Sequence, residues 1–316
     1  MARGAAGAAV RILARDVESA VNAVVRGREE VVSLTLVALL SGGHLLIEDV
    51  PGVGKTLLAK ALATAVGGKF NRVQATPDLL PSDITGSSVY QPVDGIWEFH
   101  PGPIFANVVV VDEVNRATPR TQAAVLEAME EHQVTVDGVS RALPEPFFLI
   151  ATQNPREHAG TFPLPDGQLD RFAIATSMGY PAAADEADVL LGQGGVTALD
   201  AVTQVVTVDR LADAIDAVRR LHVERAVAEY VVALVAASRT HPAISLGASP
   251  RAATALLRAA QARAAMDGRA HVTPDDVQAL AGPVLAHRLV LRDGAGVDAA
   301  AAIVNEFVGR VRVPRQ

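Results

Sequence analysis

The stretch HLLIEDVPGVGKTLLAKAL, residues 44–62, constrains the fold more than any other part of the chain. An apolar run passes into a turn carrying Gly52 and Gly54, Lys55 and Thr56 follow, and the residues after them have helical spacing. A strand, a Gly-rich turn and a helix in that order aim consecutive backbone N–H groups and a helix N-terminus at one point, which suits a phosphate. In the phosphate-loop pattern G-x-x-x-x-G-K-[ST], the lysine reaches the outer phosphates and the hydroxyl ligates Mg²⁺. The first position of that pattern falls on Asp49. Asp49 stands at the strand exit, where its side chain has room to point away from a ligand. The plainer reading is a Gly-rich turn that binds nothing. Against it, the chain holds only three lysines, Lys55, Lys60 and Lys69, and one stands where phosphate chemistry needs it. On the phosphate-loop reading, Asp49, Val50, Pro51, Gly52, Val53, Gly54, Lys55, Thr56 and Leu57 form the nucleotide cradle.

Four short apolar runs, HLLIE, VVVVDE, PFFLIAT and FAIAT, lack the alternation of a half-exposed strand. Such runs suit strands buried on both faces of a parallel sheet. Helical patterns separate several of them, KTLLAKALATAV after the first and TPRTQAAVLEAMEEH after the second, which predicts an α/β core. After about residue 180 the strand signals stop, and five segments of helical spacing follow. The last opens with Thr273 as N-cap and Pro274 at the first helical position, and Pro283 is expected to kink it. The expected organisation is therefore an α/β core over residues 1–180 and an all-helical domain over 181–316, with a Gly-rich joint near LGQGGV.

Composition narrows the chemistry. A net charge of −7 provides no global basic field for nucleic acid or anionic lipid, and 4% aromatic content argues against a base-stacking platform. The absence of cysteine removes disulfides, thiolate metal sites and cysteine nucleophiles. The N-terminal segment has early charges and no signal-peptide core, and the most apolar stretch is broken by Gly42, Gly43 and His44 before it could span a bilayer. A cytoplasmic protein without membrane insertion is expected. No H-E-x-x-H or G-x-S-x-G pattern occurs, and His44, His100 and His158 read as structural or exposed.

The run VVVVDEVNR supplies the second half of a nucleotide site. Four aliphatic residues leading into Asp112 and Glu113 set two carboxylates at the C-terminal edge of a parallel strand, where α/β sheets bind ligands. Asp112 is suited to the Mg²⁺ hydration shell and Glu113 to polarising an attacking water as general base. Two acids ending a surface strand are the plainer alternative.

With both motifs in place, the chain resembles an AAA+ ATPase of the MoxR family over nearly its whole length. GREE, ITGSSVY, FHPGPIFANVVVVDEVNRA, EHQVTVDG, IATQNP, FPLPDGQLDRF, GASPRAA and TPDDVQALAGPVLAHR carry the likeness. The resemblance implies an AAA+ core with its parallel sheet between helices, followed by a helical lid. It implies ATP and Mg²⁺ as cofactors, Asn154 as the polar sensor near the γ-phosphate, and Arg171 as the arginine lent to a neighbour's ATP. Arg116, Arg120, Arg141 and Arg156 are rivals for that last role, and an ion pair with Asp170 or another acid is the plainer account of Arg171. Arg251 matches the second sensor. It also lies in the first turn of a helix, where the macrodipole disfavours a cation, so an anionic partner is expected. TGSSVYQPVDGIWEFHPGPIF reads as a turn-rich insert, with Trp97 expected as a core anchor, and Asp137-Gly138 signals a hairpin turn. Both segments are candidate client contacts.

The implied activity is chaperone-like maturation of a client protein complex by a ring, expected as a homo-hexamer, with a von Willebrand factor A domain protein as a possible partner. A motor of the magnesium-chelatase type and a nucleotide-gated binding module with little turnover stay open as alternatives. The acidic balance disfavours a nucleic-acid motor.

Overall fold

The computed structural model describes residues 2–50, 52–154, 160–191 and 195–314. Pro51, Arg156, His158 and residues 192–194 of the predicted joint lie outside the described residues. In chain order the first part comprises α1 (Ala2–Asn22), α2 (Glu29–Leu40), β1 (Leu45–Glu48), α3 (Lys55–Ala65), β2 (Phe70–Gln74), α4 (Pro81–Thr85), β3 (Gly86–Gln91), β4 (Ile96–Pro101) and β5 (Val108–Asp112). It continues through α5 (Pro119–Glu131), β6 (Gln133–Val136), β7 (Val139–Ala142), β8 (Phe148–Gln153), α6 (Asp166–Leu169) and β9 (Ile174–Thr176). Beyond these come α7 (Ala183–Leu190), α8 (Val196–Leu199), α9 (Val208–Arg219), α10 (Arg225–Thr240), β10 (Ile244–Leu246), α11 (Pro250–Met266), α12 (Pro274–Leu285), β11 (Val290–Leu291) and α13 (Val297–Arg310). No described helix is long and apolar enough to cross a membrane.

The main sheet has five strands in the order β2–β5–β8–β1–β9, and every pairing in it is parallel. Its residues alternate between two apolar clusters. Leu45, Ile47, Val108, Val110, Phe148 and Ile150 enter the cluster built with α2 and α3, while Leu46, Val109, Val111, Leu149 and Ala151 enter the one built with α5. With both faces covered, the strands need no polar position, which accounts for the unbroken valine run. β2 differs: it is an edge strand in which only Val73 is buried. Its polar sequence FNRVQ hid it among the sequence signals.

Two hairpins leave the sheet. β6 and β7 pair antiparallel around Asp137 (φ 54°) and Gly138 (φ 74°), the two-residue turn that Asp-Gly predicts. The insert forms a second antiparallel hairpin, β3–β4. Trp97 is 70% exposed on it and rests against Tyr90, with ring centroids 5.4 Å apart. This corrects the expectation of a core anchor: the tryptophan stabilises the hairpin from outside.

The lid is not a separate apolar unit. α1, whose Val10, Leu13, Ala14, Val17 and Val21 are buried, packs against α2 and α3 on one side and α9 and α11 on the other, so one cluster runs from the sheet into the lid. Polar contacts fasten the same junction. Arg288, 5% exposed, pairs with Asp170 (Nε–Oδ1 2.8 Å) and donates to the carbonyls of Asp170, Phe172, Ala173 and Val284. Burial pushes its guanidinium down to about 10 against the pull of Asp170. Ser249, the N-cap of α11, donates to the other Asp170 oxygen at 2.7 Å. α12 opens on Thr273 and Pro274 as expected, and it continues past Pro283 to Leu285.

His44, just ahead of β1, fastens that strand's start to β8 and the end of α5. Its Nδ1 accepts from the Leu149 N–H (3.1 Å), which leaves Nε2 as the donor to the Met129 carbonyl (3.0 Å). A second ring proton would face an N–H, and burial holds the imidazole down to about 4.

Two outcomes follow from these fastenings. Arg288→Ala is expected to cost about 3–5 kcal/mol in urea unfolding, because it leaves the Asp170 carboxylate without its counter-charge and several buried carbonyls without a donor. For His44 the unfolded ring takes a proton below its ordinary value of 6.5, whereas the folded ring refuses it down to about 4. Its contribution is therefore present above pH 6.5 and lost as pH falls toward 4, about 3 kcal/mol in all. Urea midpoints across that range should fall less steeply for His44→Gln than for the natural chain.

Candidate functional site

β1 runs into the phosphate loop, and the loop into α3. Gly52 and Gly54 have φ of 89° and 99°, a left-handed backbone that glycine adopts without strain. A Cβ built on Gly52 would meet no atom within 4 Å, so backbone conformation and open approach, not packing, require glycine there. An open turn ahead of a helix N-terminus fits a polyphosphate. Lys55 Nζ donates to the Asp49 carbonyl at 2.8 Å, folded back over its own loop. Burial lowers the ammonium from its ordinary value, and Asp49, Asp112 and Glu113 oppose that shift.

The Asp49 side chain points away from the loop, as the sequence reading allowed. Its Oδ2 accepts from the Gly179 N–H (2.5 Å) and the Ser177 hydroxyl (3.0 Å), and Oδ1 accepts from the Val50 N–H (2.7 Å). Burial alone would raise this carboxyl; the hydrogen bonds from Gly179, Val50 and Ser177 outweigh it and hold the group below its ordinary value. Asp49 thus ties the start of the loop to the segment leaving β9, and Arg28 donates to the Gly179 carbonyl from ahead of α2 (2.8 Å). Val50, Val53 and Leu57 complete the loop, with Val53 and Leu57 packed against the core.

β5 ends two strands away from β1, with β8 between them, so Asp112 and Glu113 emerge at the same sheet edge as Lys55 and Thr56. Thr56 Oγ1 lies 3.4 Å from Asp112 Oδ2. These are hard oxygen ligands of the kind Mg²⁺ takes, usually keeping several waters, and the pair fits that ion. Asp112 Oδ1 accepts from the Thr152 hydroxyl (3.2 Å), which itself accepts from the Glu113 N–H (3.0 Å). Glu113 adopts φ 54°, an uncommon conformation for a residue with a side chain. Gln74 and Arg116 both donate to its Oε2, at 3.2 and 3.3 Å. Asn154 follows β8 directly, half-buried at this edge.

Arg171 and Arg251 are elsewhere. α5 returns from the site edge to the N-terminal edge, where Glu130 receives both: Arg171 Nε lies 2.7 Å from Oε2, and Arg251 NH2 donates to Oε1. The Arg171 hydrogen bond, reinforced by Arg251, lowers the Glu130 carboxyl. The anion expected at Arg251 is therefore Glu130 in this chain. The acid beside Arg171 is Glu130 and not Asp170, which holds the lid. Strands of four to six residues put about 15 Å between the two edges, so neither arginine reaches its own chain's loop. Among the rivals, Arg116 is bound to Glu113, and Arg141 lies over the Phe99 ring at 3.9 Å while donating to Val136 and Val139. Arg120 is exposed in the first turn of α5.

Sequence reading missed Arg72, Gln74, Thr152 and Glu130. The first two lie on the unrecognised strand β2, where Arg72 Nε sits 2.6 Å from Asp112 Oδ2 and its NH2 donates to Gln74 Oε1 at 3.2 Å. Thr152 could have been found as a polar residue inside the FFLIAT run.

Comparison with known proteins agrees with this geometry. Residues 44–174 match the ATPase family associated with various cellular activities (AAA), and residues 236–306 match the AAA lid domain. The chain is 46% identical to the uncharacterized protein YeaC of Bacillus subtilis, over 94% of this chain and 93% of that one. It is 38% identical to chaperone MoxR1 of Mycobacterium tuberculosis, covering 93% and 81% of the two chains. A crystal structure from Cytophaga hutchinsonii, described as an ATPase candidate, superposes with a TM-score of 0.88 at 32% identity, over 98% of this chain and 97% of that one. A phosphate loop and a DE strand end at one edge of a parallel sheet, under a helical lid, in a chain this similar to a MoxR protein over nearly its full length, have one description: the chain belongs to the MoxR family of AAA+ ATPases.

Proposed function

We propose that the chain is a Mg²⁺-dependent ATP hydrolase that works as a ring, expected as a hexamer, to remodel or mature a client protein complex. The observation that carries this reading is the convergence of Lys55, Thr56, Asp112 and Glu113 at one sheet edge, with Arg171 and Arg251 paired at the other. When bound, Mg²⁺–ATP supplies the anhydride and the electrophilic γ-phosphorus. Lys55 is drawn off the Asp49 carbonyl toward phosphate oxygens, and the loop N–H groups hold the chain of phosphates. Thr56 and Asp112 would hold the metal. Glu113 orients a water and accepts its proton, and Asn154 aligns that water.

The arginine pair supports the ring. A site that needs a cation on the γ-phosphate must borrow it when its own lies at the far edge, and head-to-tail contacts of this kind close into rings. Client contact falls to the β3–β4 hairpin, which exposes Val93, Ile96 and Trp97, and to the β6–β7 hairpin beside it. The relative named as a chaperone supports a protein client, and a von Willebrand factor A domain protein is the partner we favour.

Two experiments test the reading. Glu113→Gln should bind ATP as the natural chain does and hydrolyse it about 10²- to 10⁴-fold more slowly, while Lys55→Ala should lose binding. Unchanged turnover in the first variant, or unchanged affinity in the second, would remove the assignment. Arg171→Ala should lower hydrolysis about 10³-fold or more. Mixing it with Lys55→Ala should restore part of that activity, since each variant supplies what its neighbour lacks. Absence of any recovery, with both variants still assembling, would show that the arginine does not act across subunits.

A further inference from the structure

Arg72 is bound to the Asp112 oxygen that faces Thr56. β2 pairs with β5 so that Arg72 stands opposite Val110 and Gln74 opposite Asp112, which turns Arg72, Gln74 and Asp112 to the α3 side of the sheet, where Thr56 is. Asp112 has two carboxylate oxygens. Oδ1 is committed to the Thr152 hydroxyl, and Oδ2 faces Thr56 at 3.4 Å. Arg72 Nε is 2.6 Å from that same Oδ2. Thr56 and Arg72 both approach Oδ2, so a divalent cation held between Thr56 and Asp112 would compete with the guanidinium for that oxygen, since both are cations. The Arg72 side chain is 49% exposed on an edge strand, so it has solvent to move into, whereas that of Asp112 is 9% exposed and fixed by Thr152. The mobile partner is the arginine.

Resting on the ATPase reading above, we propose that Arg72 is a positioning residue of the metal site: it neutralises and orients the Asp112 carboxylate until Mg²⁺ arrives, and Mg²⁺ must displace it. The pair keeps the buried carboxylate compensated without nucleotide, and it sets a threshold for metal loading. Arg72 acts through Asp112 and touches no part of the nucleotide.

The test uses the full-length protein and ATP itself. Binding is measured by calorimetry in EDTA and then across a MgCl₂ titration at fixed ATP, on the natural chain, Arg72→Gln and Arg72→Lys. With its competitor gone, Arg72→Gln should reach half-maximal metal-dependent binding at about two- to fivefold lower Mg²⁺, the worth of one partly exposed ion pair. Its affinity in EDTA should stay within about twofold of the natural chain. Arg72→Lys keeps a cation beside Asp112 and should return the Mg²⁺ requirement toward the natural value. An unchanged or higher Mg²⁺ requirement in Arg72→Gln overturns the proposal, and so does loss of affinity in EDTA, which would place Arg72 on the phosphates. If Arg72→Gln fails to fold, a Mg²⁺ requirement in Arg72→Lys far from that of the natural chain overturns it equally. The parent reading fails differently: the natural chain would then bind no ATP at any Mg²⁺ concentration.

Discussion

The parallel pairing of β8 with both β1 and β5 is the constraint on which the site depends. Parallel neighbours share an orientation, so whatever follows β1 and whatever ends β5 emerge at one edge. That edge receives the phosphate loop from one strand and two carboxylates from the other, with β8 between them contributing Thr152. A single antiparallel strand in place of β5 would send Asp112 and Glu113 to the far side. The buried aliphatics make that arrangement rigid: both faces are covered, so a one-residue slip would exchange the two apolar clusters and disturb both helix layers at once.

The lid is coupled to this edge through ordinary packing and a few buried polar groups. Asp49 binds the segment leaving β9, which leads toward the lid. On the other edge Asp170 holds Arg288 and Ser249, and Glu130 holds Arg251 beside Arg171. α1 fills the space between, in contact with α3 below the phosphate loop and with α11 in the lid. A change at the phosphate loop therefore has covalent and packed routes to the lid, and the lid carries Arg251 with it.

Much of this was legible in the sequence, for physical reasons that also mark where it stopped. Strands buried on both faces read as uniform aliphatic runs, and the glycines of the phosphate loop announce positive φ. The Asp137-Gly138 turn did the same for a hairpin. β2 was invisible because an edge strand has no need for an apolar pattern, and Arg72 and Gln74 were lost with it. α1 was passed over because its alanine-rich start masks a buried stripe of valine and leucine. Trp97 was misjudged because burial is the usual fate of a lone tryptophan; on this hairpin it packs on Tyr90 from the outside. Glu130 could not be paired with Arg171 and Arg251 from spacing, since the three come from α5, the turn after α6 and α11, brought together only by the fold.

Charge placement gives these contacts a common logic. Each of these groups has a partner from its own chain: Lys55 the Asp49 carbonyl, Asp112 the Arg72 guanidinium, Glu113 the Gln74 amide and Arg116, and both Arg171 and Arg251 the Glu130 carboxylate. A buried or half-buried charge without a partner would be costly, and on the proposed ATPase reading these partners are substitutes for the phosphates, the metal and the neighbour. Those substitutes are mostly on exposed elements, the edge strand β2 and the end of α5, where exchanging one partner for another costs little. Lys55, Asp112 and Glu113, in contrast, are mounted on the phosphate loop and the end of β5. The rigid parts of the site therefore carry its chemistry, and the partners at its rim carry the exchange.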